Sequence, residues 1–547
     1  MKRTLILYFF FIFAFSFELF SDELLTVPEK TNYQRTSTYQ EVIDFVKILK
    51  ERHPEKMKIE FIGITTEGRK IPMIVLSKYG ISKPLESRLL NKPPVLIMAN
   101  IHAGEVEGKE STLMLIREIL ENNREDLLEN QTLLIIPIFN CDGNEKMSPK
   151  NRRDNGPELA GERKNGQGYD LNRDYVKVES FEVRALITNV FNFWDPVLFV
   201  DMHTTNGSLH QEPVTYSPNI APEGDQVLID YMWKKALPEI DKTLLKKYKV
   251  ESIPYGNFIK RDDPVKGWRN RAIEARFGTS YYGLRNRFSI LDENYSHADF
   301  KTRIKGALSF IRAILEYTNT HMGEMCNLIR EADLRAIKEV KNSEFPIRFK
   351  LTKTYDFLIK SYIFKKREIL ESERERYPKK WYGDYIVEKT EKKKNYCTTL
   401  YASFKPYKKI KLTEGYIMLP SEKQVAMHLK LHGINVQIIG KSFKGKVRLN
   451  KVIKIESLKS PYQGHFLHTN IDYEEVEEEV DVPKGSFFIT LSQPLSRLAA
   501  YLLEPQSRDG YAAWNFFDRV LVLQWRGYAI YPVYKILKAP KVQMHNF

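Results

Sequence analysis

The stretch ANIHAGEVEGKE, residues 99–110, decides how this chain is read. It follows PPVLIMA at 93–99, a continuous apolar run of the kind that forms a strand buried on both faces. A buried strand usually leaves the core on a turn residue. This one leaves on His102 and, three residues later, Glu105, both good metal ligands. Whether they hold a metal depends on what else in the chain completes the set.

The flanking segments place that strand in a sheet. TYQEVIDFVKILKERHP, 38–54, repeats Val42, Phe45, Val46 and Leu49 at helical spacing. KIEFIGITTEGRKIPMIVLS, 58–77, reads as a hairpin about its Gly turn. A helical pattern returns from Glu110 to Asn122, and TLLIIPIFN, 132–140, is again a strand. Residues 141–175 are polar and Gly-rich, a long loop of the kind that carries function. A helix at about 179–194, strands at 196–203 and 287–293, and a helix at about 299–319 complete an α/β pattern. The expectation is a mixed central sheet flanked by helices over residues 22–325. A helical linker at 326–344 then leads into a mainly β C-terminal domain over 345–547, made of short, aromatic-rich, alternating segments. The acid run DYEEVEEEVD, 472–481, reads as exposed.

With 547 residues and 42% apolar content, the chain can bury a sizeable core in two or three domains. Its N-terminus carries Lys2 and Arg3, then an apolar run from Leu5 to about Phe17, the layout of a secretory signal peptide at 1–21. The run is shorter than the roughly 20 residues that span a bilayer, so no membrane span is expected after cleavage. Three cysteines, Cys141, Cys326 and Cys397, make no disulfide framework and exclude a Cys-based zinc finger. The net charge of +15 is spread over Lys clusters interleaved with acids, which read as solvated faces. No nucleic-acid module is present, so no nucleic-acid partner is expected.

A hydrolytic zinc site needs three protein ligands and one open position. His203 ends the apolar run PVLFVDMH much as His102 ends PPVLIMANIH. Ligands of open α/β sheets sit outside the carboxyl ends of strands, so two strands ending in His aim both into one crevice. Either histidine alone would ordinarily be a core or surface residue. Together with Glu105 they form a candidate set for one zinc ion per chain. The pair in HLKLH, His428 and His432, has helical spacing but neither a Glu base nor a third ligand.

The motifs run in order: HAGE at 102–105, NCDG at 140–143, NR at 151–152, DLNRDY at 170–175, DMHTTNG at 201–207 and ILDENY at 290–295. In this order they resemble the zinc carboxypeptidase family, carboxypeptidase A/B-like metallopeptidases, over about residues 35–320. The resemblance implies zinc on His102, Glu105 and His203, with Glu293 as general base and acid. It implies Arg152 as the oxyanion stabiliser, with Arg153 adjacent. Asn172 and Arg173 then bind the substrate's terminal carboxylate, and Asp170 orients the first zinc histidine.

A Glu ending the apolar strand RFSILDE should have a raised pKa, which suits a base. Alternation along a strand lets only one of Asp292 and Glu293 face the site. For the family's tyrosine, Tyr281 and Tyr282 lie closer to Glu293 than the usual spacing; Tyr282 is the candidate for substrate contact. Arg285 is a second, for carboxylate-bearing substrates, although it and Arg287 could equally pair with nearby acids. The expected activity is hydrolysis of the C-terminal peptide bond of peptides with a free C-terminus. The alternative is a zinc-dependent N-acyl amino acid deacylase of the aspartoacylase and succinylglutamate desuccinylase kind.

Overall fold

The computed structural model describes residues 23–152, 155–338, 343–375, 377–523 and 527–547, so the expected signal segment lies outside them. The central sheet has eight strands: β1 Met57–Ile64, β2 Lys70–Leu76, β3 Pro94–Ala99, β4 Thr132–Ile136, β5 Leu198–Thr205, β6 Val214–Pro218, β7 Ser252–Pro254 and β8 Phe288–Tyr295. Their order is β1-β2-β4-β3-β5-β8-β6-β7. β1 and β2 pair as the expected hairpin, turning at Gly68, whose φ of 83° favours glycine. The four middle strands β4, β3, β5 and β8 are mutually parallel. Every residue of β3 and β4 is buried, which is why their sequences read as unbroken apolar runs. β3 and β5 are neighbours, so their carboxyl ends share one rim.

Helices cover the sheet, and three of them bear on the site and on the sequence reading. Tyr39–Arg52 is opened by a capping box in which Thr38 accepts from the Glu41 amide and Glu41 accepts from that of Thr38. Glu107–Glu121 follows the candidate ligands directly and is buried over most of its length. The third helix departs from expectation. Phe300–Lys338 is one continuous helix of 39 residues, so residues 326–338 of the stretch read as a helical linker continue the preceding helix with no break. No helix among the described residues is long and apolar enough to cross a membrane.

Beyond residue 343 the chain is mainly β. Glu344–Glu368 and Tyr385–Lys411 pair antiparallel as a long ribbon, rooted where Leu400–Tyr401 pairs with Trp268–Arg269. A seven-stranded sheet follows. The acid run lies in its edge strand His468–Val482, mostly exposed as expected. There it faces the basic residues of Phe443–Ser457 through Lys446–Glu477 and Lys451–Glu478. One hydrophobic cluster extends from the central sheet into this region. The segment 493–518, which the sequence left without a role, is part of the join. Its helix Ser496–Leu503 is largely buried, Asp509 pairs with Arg276 at 2.9 Å, and Arg508 pairs with Glu223 at 3.1 Å. His432 is buried in the same join and His428 half-buried there, bonded to Tyr281 and Tyr511 respectively.

Candidate active site

The local fold explains how His102 and Glu105 converge. β3 stops at Ala99, three residues before His102, because Asn100 adopts a φ of 62° and turns the chain. The Asn100 side chain then donates to the carbonyls of Ala103 and Glu105, each at 3.2 Å. A Cβ on Gly104 would meet the Gly161 carbonyl at 2.9 Å, so glycine is required where the turn passes the 141–175 loop. His203 arrives differently from the expectation: β5 runs on to Thr205, so the histidine sits within the strand. Asp201 and His203 share one face of β5, two residues apart.

His102, Glu105 and His203 are buried, with ligand atoms all within 4.8 Å of one another. His102 Nδ1 lies 3.1 Å from Glu105 Oε1, His203 Nδ1 lies 2.9 Å from Oε2, and the two Nδ1 atoms are 3.2 Å apart. Zinc bonds of about 2.1 Å at tetrahedral angles place neighbouring ligand atoms about 3.4 Å apart. The cluster therefore fits a tetrahedral cation with little adjustment. Each imidazole also has a carboxylate behind it: Asp170 lies 3.0 Å from His102 Nε2, and Asp201 lies 3.1 Å from His203 Nε2. Such carboxylates fix the tautomer that turns a lone pair toward a metal.

The electrostatics follow from the same contacts. Burial alone would raise the Glu105 pKa, but the charges of His102 and Arg152 hold it well below the ordinary value. Burial likewise opposes Asp170, whose pKa is nonetheless held low by the hydrogen bond and charge of His102 and then by Arg163 and Arg173. Burial would lower the His203 pKa, yet Asp201 and Glu105 raise it. Glu293 lies directly opposite His203 in the ladder between β8 and β5. It keeps a partly accessible edge, and burial together with the Glu105 charge pushes its pKa up to about 7. Its neighbour Asp292 turns to the other face, fully buried and bonded by Asn294. Burial raises the Asp292 pKa well above the ordinary value.

Arg152 reaches the cluster, donating to Glu105 Oε1 at 2.7 Å; Arg153 lies outside the described residues. Asn172 is more committed than expected. Its Oδ1 accepts from the Gly278 amide at 2.9 Å and its Nδ2 lies 3.2 Å from His203 Nε2. Arg173 stacks over Phe277 and donates to Tyr462 Oη at 3.0 Å and to the Asn172 carbonyl at 2.7 Å. No carboxylate pairs with it among the described residues.

Two expectations are corrected. Tyr282 does not line this site: it is fully buried and donates to the carbonyl of Pro196, at the start of the segment leading into β5. His203 is near the other end of that strand, roughly 20 Å away at about 3.3 Å per residue. Arg285 is also structural, bonded at the same end to the His432 carbonyl and to Asn192 Oδ1. Three groups were missed. Tyr255, which follows β7, has its pKa raised first by the Glu293 carboxylate and then by burial, and it bonds the Thr205 side chain. Arg163 donates to Asp170 Oδ2 at 2.8 Å, and Asp201 stands behind His203. A tyrosine directly after a strand of the central sheet, in SIPYGNF, was the available signal for the first.

Residues 42–254 match the family model described as zinc carboxypeptidase. This segment belongs to the zinc carboxypeptidase family. Carboxypeptidase 2 from Trichophyton equinum is 22% identical over 469 residues, covering 82% of this chain and 78% of its own. Carboxypeptidase D from Drosophila melanogaster is 27% identical over 170 residues, covering 29% of this chain and 12% of its own. Among solved structures, one described as a putative carboxypeptidase A from Shewanella denitrificans is 17% identical with a TM-score of 0.40, covering 53% of this chain and 71% of that one. The family depends on zinc and hydrolyses peptide bonds, and the buried His-Glu-His cluster is the group of described residues able to hold the ion. Glu293 lies beyond the matched segment, which ends at residue 254.

Proposed function

We propose that the chain releases the C-terminal residue of peptides, with one zinc ion on His102, Glu105 and His203. The observation that carries this reading is Glu293, facing the ligand cluster from the neighbouring strand with a pKa of about 7. A bound zinc supplies Lewis acidity and lowers the pKa of a water in this cleft. Glu293 has the position and basicity to take a proton from a water in the cleft and to give one to the leaving amine. Arg152, beside Glu105, faces the place where negative charge develops on the scissile carbonyl. Among the described residues Arg173 is held by neutral partners, so its guanidinium remains available to the terminal carboxylate, with the remaining Asn172 N–H beside it. Tyr255 stands as a neutral phenol next to Glu293 and can donate to a substrate carbonyl.

The test is Glu293→Gln in full-length protein. The variant should keep about one zinc per chain by mass spectrometry and lose hydrolysis of a peptide library by about 10²–10⁴-fold. Full activity in the variant removes Glu293 as the base. Release of acyl groups from N-acyl amino acids without trimming of peptides would replace the carboxypeptidase reading by the deacylase one. The N-terminal run from Leu5 to Phe17 further supports export with cleavage near residue 21. A mature N-terminus still beginning at Met1 would refute it.

A further inference from the structure

A cavity of about 690 Å³, within the size range of ligand sites, opens where the chain leaves the carboxyl end of β5 at Asn206. One wall belongs to the catalytic rim. β5 passes from His203 through Thr205 into Asn206, and the chain after Tyr255 supplies Asn257; the two are laced where Ser208 donates to Asn257 Oδ1 at 3.0 Å. The opposite wall is the long ribbon, through Phe364 and Ile386–Lys389.

The lining is one-sided in charge. Arg261 lies over the ring of Tyr382 at 5.1 Å and Lys389 over Tyr362 at 4.7 Å. No hydrogen bond or ion pair engages the Arg269 guanidinium among the described residues, and none of these three cations has a carboxylate partner there. The one acid in the lining, Glu388, is held by Arg367 at 2.8 Å and Lys365 at 3.5 Å. The ribbon strands behind this wall, 344–368 and 385–411, hold fifteen Lys and Arg against five Asp and Glu. They thus account for +10 of the chain's +15. A cleft lined by one sign of charge concentrates ligands of the other sign.

We infer that this cavity receives the part of the peptide upstream of the scissile bond and selects acidic residues there. The inference rests on the carboxypeptidase reading, which puts the terminal carboxylate at Arg173. Arg173 contacts Phe277 and Tyr462, neither of which lines the cavity, so the carboxylate and the cavity occupy separate flanks of the site. A peptide held by its terminus at Arg173, with its last bond at the zinc ligands, continues along the rim past Thr205 and Tyr255. That path enters the cavity.

The test compares peptides of equal length with Glu or Gln at the upstream positions, alongside an acylated dipeptide too short to reach the cavity. In wild-type protein at low salt the Glu peptide should show a KM about tenfold lower than its Gln counterpart, a difference that fades with added salt. The Arg269→Gln, Lys389→Gln double variant should erase the difference and leave the acylated dipeptide unchanged. A second arm measures anisotropy of a labelled Glu peptide with an amidated C-terminus, which no carboxypeptidase trims. Its binding should also be lost in the double variant. If nothing is hydrolysed but this binding behaves as stated, the catalytic reading fails while the acidic-ligand cavity stands. Equal behaviour of Glu and Gln peptides in both arms overturns the inference. So does displacement by inorganic polyphosphate without any preference for the Glu peptide, which would assign the ribbon to a polyanion.

Discussion

Asp170→Asn and Asp201→Asn, made singly and together, test the metal centre without touching a ligand. Each carboxylate stands behind one imidazole, 3.0 Å from His102 Nε2 and 3.1 Å from His203 Nε2. Asparagine keeps the volume but removes the charge that fixes the tautomer. Loss of such a partner weakens metal affinity by about 10–100-fold, or about 1.4–2.7 kcal/mol. The structure ranks the two. Asp170 also accepts from Arg163 at 2.8 Å, which already neutralises part of its charge, so its loss should fall near the lower end. Among the described residues Asp201 has no other hydrogen-bond partner, so nothing redistributes and its loss should fall near the upper end. The carboxylates act on different rings, so the effects should nearly add, giving about 10³-fold in the double variant. Zinc dissociation constants from chelator competition read the effect, and thermal melts of the metal-free proteins check that each variant folds. Affinities within about twofold of wild type in all three would show that Nδ1 of each ring is not the atom turned to the metal.

Three further outcomes follow from the same geometry. Glu293 must be ionised to act as base, so kcat/KM should fall as pH drops through its pKa. That pKa is about 7 without metal, and a dication nearby favours the anion, so the limb should lie below about 7 and above the ordinary value of about 4.3; a rate constant flat across that range would remove Glu293 from the mechanism. Arg173→Gln should raise KM for peptides with a free C-terminus by about 10–100-fold while kcat changes little, because charge-assisted hydrogen bonds are worth about 1.5–3 kcal/mol; an unchanged KM would show that the terminus is held elsewhere. Arg285→Met should lower the melting temperature through loss of buried hydrogen bonds to His432 and Asn192, with KM unaltered; a selective rise in KM would restore Arg285 to the substrate site.

The sequence by itself determined those features that depend on local pattern. The apolar runs of β3, β4, β5 and β8 mark strands covered on both faces, and the Gly turn marks the first hairpin. Side-chain alternation allowed one of Asp292 and Glu293 to face the site. His102 and Glu105, three residues apart in a turn, could be paired with a distant His203 because each histidine lies at the carboxyl end of an apolar run.

What only the tertiary structure decided depends on which strands become neighbours and how far each element runs. The adjacency of β3, β5 and β8 brings three distant segments to one rim, and no residue spacing encodes it. Tyr282 and Arg285 lie a few residues before Glu293 in the chain, yet a parallel strand separates its start from its end by its full length, and they fall at the far end. Tyr255 was farther along the chain and nearer in space, because β7 delivers it to the rim beside Glu293. The packing of the C-terminal region against Arg173 and around the basic cavity likewise comes from contacts between residues hundreds of positions apart, where sequence periodicity carries no information.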